Sequence, residues 1–308
     1  MRYNRSGFTF IELIFVIVIM GFLAKYGSEF LAQAYQSFIS SKINHSLQSK
    51  SEMAVELISK RLESRIKDSV IAREGEVTTY DAIGNIDPNK SYKVLEWISY
   101  NDEGFRGDTK PFWSGVIDLD DSNSSELVSY ATETNTTSQL IDVLSYGYSD
   151  INDSAIYFIG TNTNIDGYGW DGNALVDQNT STIHPIKADT TDITKFIPRK
   201  GGTQDTNSFK DVRVTEYYKL SWTANAVVIE DYNDTTHIGD LYFYYDYQPW
   251  DGEKFYDTGK NIQKVLLMKN VSTFRFLGVG SMMKIQVCAK DNLLSEETYS
   301  LCKEKTIY

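Results

Sequence analysis

GFTFIELIFVIVIMGFLA, residues 7–24, decides how the rest of the chain is read. A short leader with Arg2 and Arg5 precedes it, and one unbroken apolar run follows Gly7. That run carries a single charge, Glu12, and the next charge is Lys25. About 20 apolar residues in a helix cross a bilayer, so the run has nearly membrane length. An acidic residue at the centre of such a span costs roughly 2.5–3.5 kcal/mol on insertion scales. A group that costly marks a function and calls for a partner. A secretory signal would put its cleavage site behind the apolar run, at small residues, and would not carry Glu12. An ordinary single-span anchor accepts the run but gives no reason for the glutamate.

Outward from that stretch, no proline occurs before Pro88. Ile43, Leu47, Val55, Ile58, Leu62, Ile66 and Val70 recur at helical spacing, which makes one side of the segment apolar. Lys50, Glu52, Lys60, Arg61, Glu63 and Lys67 suit a solvated side. The pattern predicts a helix over 8–72, with its membrane segment at 8–24 and Gly75 as its C-terminal cap. At 1.5 Å per residue such a helix reaches roughly 100 Å.

After residue 76 the pattern turns to period two, with β-branched and aromatic residues. Strands are expected at 92–99, 112–117, 140–146, 156–160, 212–222, 226–231, 241–247, 273–277, 283–289 and 299–307. Segments 231–234 and 251–252 read as turns, and 118–125 and 160–202 as loops. The fold class is therefore α+β: a long N-terminal helix packed on a β-rich domain over 76–308. The long loop leaves open a division of that domain into two lobes.

The chain has 308 residues and a formal charge of -12. That balance argues against binding a phosphate backbone, which needs clustered Lys and Arg, so no nucleic-acid partner is expected. The two cysteines, Cys288 and Cys302, lie near the C-terminus; in an oxidising compartment such a pair tends to bridge. His45, His184 and His237 lie far apart and read as solvated or capping residues. No metalloprotease, redox, nucleophile-elbow or phosphate-loop motif occurs, so no catalytic residue and no cofactor are assigned. Asn162, Asn164, Asp166 and Gly167 copy the opening of a calcium loop, but Asn173 stands where the closing glutamate belongs. Asp171 and Asp177 are possible substitutes. The same residues read more readily as a cluster of Asx turns, and no metal site is assigned. Tyr168 and Trp170 beside them are either a contact surface or packing for their own loop.

Residues 7–24 resemble the processing and methylation signal of type IV pilins and type II secretion pseudopilins. The resemblance implies that a prepilin peptidase cuts after Gly7 and methylates Phe8. It also implies that Glu12, fifth in the mature chain, pairs with a Phe8 amine during assembly. The partners it implies are that peptidase, other pilins or pseudopilins, and the inner membrane, with the C-terminal domain in the periplasm. A weaker likeness lies downstream. Residues 217–222, 226–228, 239–245, 265–276 and 283–288 are similar to the C-terminal sheet of the W-type minor pilins and J-type minor pseudopilins. There an apolar segment leads through a Val-x-x-Phe step, here Val271 to Phe274, into paired strands. Major pilins commonly carry a proline where this chain has Glu29, which favours a minor subunit. The resemblance thus implies a structural role in starting or capping a filament. A filament-displayed adhesin or ligand-binding head is the alternative.

Overall fold

The computed structural model describes residues 7, 9–87, 89–291 and 299–308. Helix α1 runs unbroken over Phe10–Glu63. Gly21 and Gly27 are absorbed into it, and it continues through Glu29 without a break. Its inner face buries Ile43, Leu47, Ala54, Val55, Ile58 and Leu62.

The helix stops at Glu63 and not at residue 72. Three donors meet its last carbonyls: Arg65 N–H and Arg65 Nη1 reach Leu62 O at 3.2 and 2.7 Å, and Ser64 Oγ reaches Arg61 O at 3.1 Å. Such partners replace the bonds that the next helical turn would have made. Ile66 and Val70 keep helical spacing but serve other purposes. Ile66 N–H donates to Ile98 O at 2.9 Å, a 3₁₀ turn covers Lys67–Ser69, and strand β1 begins at Ile71. Gly75 lies beyond β1 and caps no helix.

Strands β1 (Ile71–Arg73), β2 (Asp81–Ala82) and β3 (Val94–Ser99) precede helices α2 (Asp102–Arg106) and α3 (Thr134–Leu144), with β4 (Leu127–Val128) between the two helices. Then follow β5 (Ala155–Phe158), β6 (His184–Ala188), β7 (Lys195–Pro198), β8 (Tyr218–Ser221), β9 (Thr223–Asn233) and β10 (Ile238–Tyr245). The last three are β11 (Gln263–Val279), β12 (Met282–Asp291) and β13 (Tyr299–Ile307). An eight-stranded antiparallel sheet has the order β13-β12-β11-β10-β9-β3-β1-β2. A five-stranded sheet has the order β4-β7-β6-β5-β8. Only Trp222 separates β8 from β9, so the chain passes directly from one sheet to the other.

Alternation along the central strands places two cores back to back. Leu95, Trp97, Val227, Leu241 and Phe243 face α1, joined by Ile285, Val287, Ala289 and Ile307. Val94, Ile98, Ala224, Ala226 and Val228 face the other way, against Tyr168, Trp170, Tyr247, Trp250 and Phe255. A third core around Trp113, Ile141, Ile156, Phe158, Ile186 and Phe196 belongs to the smaller sheet.

Several expected elements differ. Residues 140–146, expected as a strand, lie mostly in α3, where Ile141 is buried and Val143 is 71% exposed. Residues 112–117 form no strand beyond a bridge from Val116 to Tyr217. Within 212–222 only β8 is strand. The stretch 160–202 is no open loop: it holds a 3₁₀ turn over Ile165–Tyr168 and strands β6 and β7, with Tyr168, Trp170, Ile183 and Phe196 in the cores. The Val271–Phe274 step lies inside the single strand β11. Residues three apart on a regular strand face opposite sides. A register shift between Val271 and Thr273, beside Asn270 at φ 60°, instead lets both enter the α1 core. That is the effect of a β-bulge.

A buried ion pair ties the strands to the segments packed behind the large sheet. Arg73 and Glu96 pair on β1 and β3, each side chain 1% exposed. Arg73 Nη2 donates to Trp170 O at 2.6 Å and Nη1 to Val77 O at 2.8 Å, and Tyr247 Oη donates to Glu96 Oε2 at 2.9 Å. Removing one partner of a buried pair strands a charge and costs about 3–5 kcal/mol. Denaturant unfolding of Arg73→Met should show a loss of that size, and Arg73→Met with Glu96→Leu should regain part of it.

Asp246 stands just beyond β10 at φ 64°. Its N–H donates to Thr223 Oγ1 at 2.8 Å and its Oδ1 accepts from Ser149 Oγ at 2.5 Å. Its Oδ2 is buried without a partner among the described residues. Burial pushes this carboxyl up to about 6; Ser149 and Gln248 pull it down, while Glu253 and Asp153 add to the rise. An acid raised on folding contributes stability that is complete below its ordinary pKa and lost as pH rises through the folded value. Asp246→Asn removes that loss. Its thermal midpoint should exceed the parent's at pH about 7.5, and the gap should close by pH about 4, a window set by the two pKa values. A pH-independent gap would show that charge is not the cause.

Candidate functional site

The apolar N-terminus is the part of the chain that the head does not cover. Every residue from Phe10 to Phe38 is exposed. This part of α1 contains an 18-residue window of mean hydropathy 2.0, long and apolar enough to cross a membrane. Tyr26, Phe30, Tyr35 and Phe38 extend the bare surface past Lys25. Contact with the head begins near Ile39 and becomes full burial at Ile43.

Gly7 is exposed, with nothing within 4 Å of where a side chain would start. Phe8, expected as the residue behind the cut, lies outside the described residues. Glu12 is exposed in the first turn of α1. Thr9 is the N-cap, with extended φ −79° and ψ 149°. Glu12 N–H donates to Thr9 Oγ1 at 3.4 Å, while Thr9 N–H and Oγ1 both donate to Glu12 Oε2 at 3.0 Å. This is a capping box, in which each residue's side chain accepts from the other's otherwise orphaned amide. Its sequence signal, Thr-x-x-Glu, was present at Thr9 and Glu12 and was overshadowed by the apolar run. Only Oε2 is engaged; Oε1 accepts no bond among the described residues.

Cys288 and Cys302 sit directly opposite on β12 and β13 and are disulfide-bonded, with an S–S distance of 2.08 Å. The bond joins the edge strand to its neighbour, on the strands that carry α1. Lys303 and Lys305 of the same edge strand reach Glu52 and Glu56 of α1 at 3.7 and 2.6 Å.

The remaining candidates form no second site. His184 is buried and not solvated. Its Nδ1 lies 2.9 Å from Gln178 Oε1, its ring packs on Phe158, and burial pushes its pKa down to about 3. His45 is exposed on α1, and His237 occupies a left-handed turn at φ 56°. In the supposed calcium loop the oxygens serve local amides. Asn162 Oδ1 accepts from Asn164 N–H at 2.9 Å, and Asn164 Oδ1 from Asp166 N–H at 3.2 Å. Asp166 Oδ1 accepts from Tyr80 Oη at 2.9 Å, and Asp171 caps Asn173. Gly167 is required by close approach, since a Cβ there would stand 2.3 Å from Thr182 Oγ1. Among the described residues no group of three or more His, Cys, Asp or Glu could hold a metal. Tyr168 and Trp170 are buried and offer no contact surface.

A family model described as the prokaryotic N-terminal methylation motif matches residues 2–24. No curated protein and no solved structure matches the chain. The motif implies processing by a prepilin peptidase and assembly with other pilins. It and the bare helix behind it suggest that the N-terminus anchors the chain in a membrane. The motif and the apolar helix support a type IV pilin-like protein.

Proposed function

We propose that the chain is a minor pilin or pseudopilin, a structural subunit that helps to start or cap a type IV pilus or type II secretion filament. The observation that carries this reading is one continuous helix in two environments: bare over 10–38 and packed on a head over 43–62. The peptidase removes residues 1–7 at the exposed Gly7 and methylates Phe8. Arg2 and Arg5 hold the leader on the cytoplasmic side, as basic flanks do. The head then lies in the periplasm, where the Cys288–Cys302 bond persists. On assembly the bare half of α1 leaves lipid for a bundle of neighbouring helices. The motif's family is structural, and the chain's part in assembly needs no catalytic group of its own.

Glu12 acts in this reading as the register contact. Its Oε2 is occupied by its own capping box, which leaves Oε1 to receive a neighbour's Phe8 amine. Between apolar helices the dielectric is low, and a charge pair counts for more than in water. An axial offset that misses the pair leaves the carboxylate unpaired and is disfavoured.

Glu12→Ala in the native host tests the reading. Intact mass of parent and variant should both show loss of residues 1–7 and a methylated Phe8. The head's thermal midpoint should be unchanged. Incorporation with partner pilins should fall about ten-fold or more, the factor that 1.4 kcal/mol of lost pairing produces. Retention of Met1 would refute the processing, and normal incorporation would refute the register role.

A further inference from the structure

A cavity of about 590 Å³ opens where α1, α2, α3 and the large sheet meet. Its size lies in the range of small-molecule pockets, roughly 300–1,000 Å³, with room for a bulky side chain and its flanking backbone. Leu57, Ile58, Val143, Leu144, Val265 and Leu267 make its aliphatic walls. Trp222, Phe243 and Tyr245 add ring surface, the last two stacked with centroids 5.8 Å apart.

Polar groups interrupt this lining, and those of Ser99 and Thr223 are already committed. Ser99 Oγ accepts from Trp97 Nε1 at 3.0 Å and from Asn225 Nδ2 at 2.6 Å. Thr223 Oγ1 donates to Ala224 O at 2.6 Å and accepts from Asp246 N–H at 2.8 Å. Asn225 is 4% exposed and lines the cavity, yet its Oδ1 accepts no hydrogen bond among the described residues. At the rim Arg61 lies 6.0 Å from the Phe243 ring centre and reaches Glu103 only at 3.5 Å.

We propose that this cavity is the docking pocket for a tyrosine or tryptophan side chain of a protein partner. A purely hydrocarbon plug would bury the free Asn225 oxygen unpaired, which costs about ten-fold in affinity or more. A sugar would lay hydroxyls against the aliphatic walls of Leu57, Ile58, Val143, Leu144, Val265 and Leu267, which offer them no partner. A phenol or indole brings a flat apolar ring and one donor, and so fits both parts of the lining. Arg61 is placed at the rim to meet the backbone carbonyls that flank such a side chain. The surroundings select a macromolecule over a free small molecule. Val143 and Tyr146 at the mouth are 71% and 74% exposed, and Met53, one turn from Leu57 on α1, is 61% exposed. A molecule inside the cavity would leave that apolar rim wet, whereas a protein surface would cover it. Tyrosine and tryptophan are also the commonest interface anchors. The pocket belongs to the head and uses neither Phe8 nor Glu12, so it stands or falls separately from the assembly reading.

Calorimetric titration of the full-length protein in detergent tests it with four probes: the N-acetyl amides of tyrosine and phenylalanine, the tripeptide Ac-Leu-Tyr-Leu-NH2, and N-acetylglucosamine. The tyrosine amide should bind saturably, and the phenylalanine amide about ten-fold more weakly, for want of the donor. The tripeptide should bind about ten-fold more tightly than the tyrosine amide, because it also covers the rim. Asn225→Leu should erase the preference for tyrosine over phenylalanine. Val143→Glu, at an exposed position, should weaken every probe without moving the thermal midpoint, and it carries the test if Asn225→Leu fails to fold. Absence of saturable binding, or a tyrosine preference that survives Asn225→Leu, would overturn the pocket. A tripeptide no tighter than the single amide, or a sugar that binds as well as tyrosine, would overturn the protein partner. Any of these results leaves the outcome for Glu12→Ala untouched.

Discussion

One helix carries more apolar surface than its own head can cover, and the rest of the structure follows from that. Each large apolar side chain left in water forgoes roughly 1.5–3 kcal/mol of burial. Over the exposed stretch from Phe10 to Phe38 the total is on the order of tens of kcal/mol. Only lipid or other helices supply cover on that scale, so the N-terminal half needs a membrane or a bundle. Glu12 is the exception within the run. Its capping box explains how a carboxylate sits at the helix start, and in the proposed assembly its second oxygen is the one left for a neighbour.

The head is built to hold the other half of that helix firmly. Ile43 to Leu62 lie on the large sheet, and Glu52 and Glu56 are clasped by Lys303 and Lys305 of the edge strand. The Cys288–Cys302 bond fastens that edge strand to the sheet. At the helix end Arg65 Nη2 donates to Ser281 O at the tip of the β11–β12 hairpin, 2.8 Å away. Behind the sheet the Arg73–Glu96 pair holds the segments around Trp170 and Tyr247. A pull on the stem therefore reaches the core on both faces of the large sheet through packed side chains. The aromatic pocket lies at the top of the same helix, where the stem meets the head's accessory helices.

The parts of this arrangement that were legible in sequence are those set by local pattern or by an isolated cost. Glu12 stood out because nothing else in the run was charged, and the stripe from Ile43 to Leu62 kept a clean helical period. The end of the helix was illegible because Ile66 and Val70 preserve that period while serving the sheet. Tertiary pairing with Ile98 decided it, and a single segment does not reveal that. The run over 140–146 is equally apolar as strand or helix by pattern. Its helix, α3, starts at Thr134, and the N-cap residue Glu133 makes no side-chain cap bond to announce it. The Arg73–Glu96–Tyr247 network and the lining of the aromatic pocket join residues far apart in the chain, so no spacing rule could assemble them. Tyr168 and Trp170 were visible as aromatics, but only the fold shows that they are buried.

The central claim is that α1 is one continuous helix in two protective environments with a bare stretch between them. Amide hydrogen exchange of the full-length chain in lipid nanodiscs tests it most directly. The account predicts slow exchange over 10–24, held by lipid, and over 43–62, held by the head, with faster exchange over 25–38. Fast exchange over 10–24 in lipid, or uniform exchange along the whole helix, would contradict it.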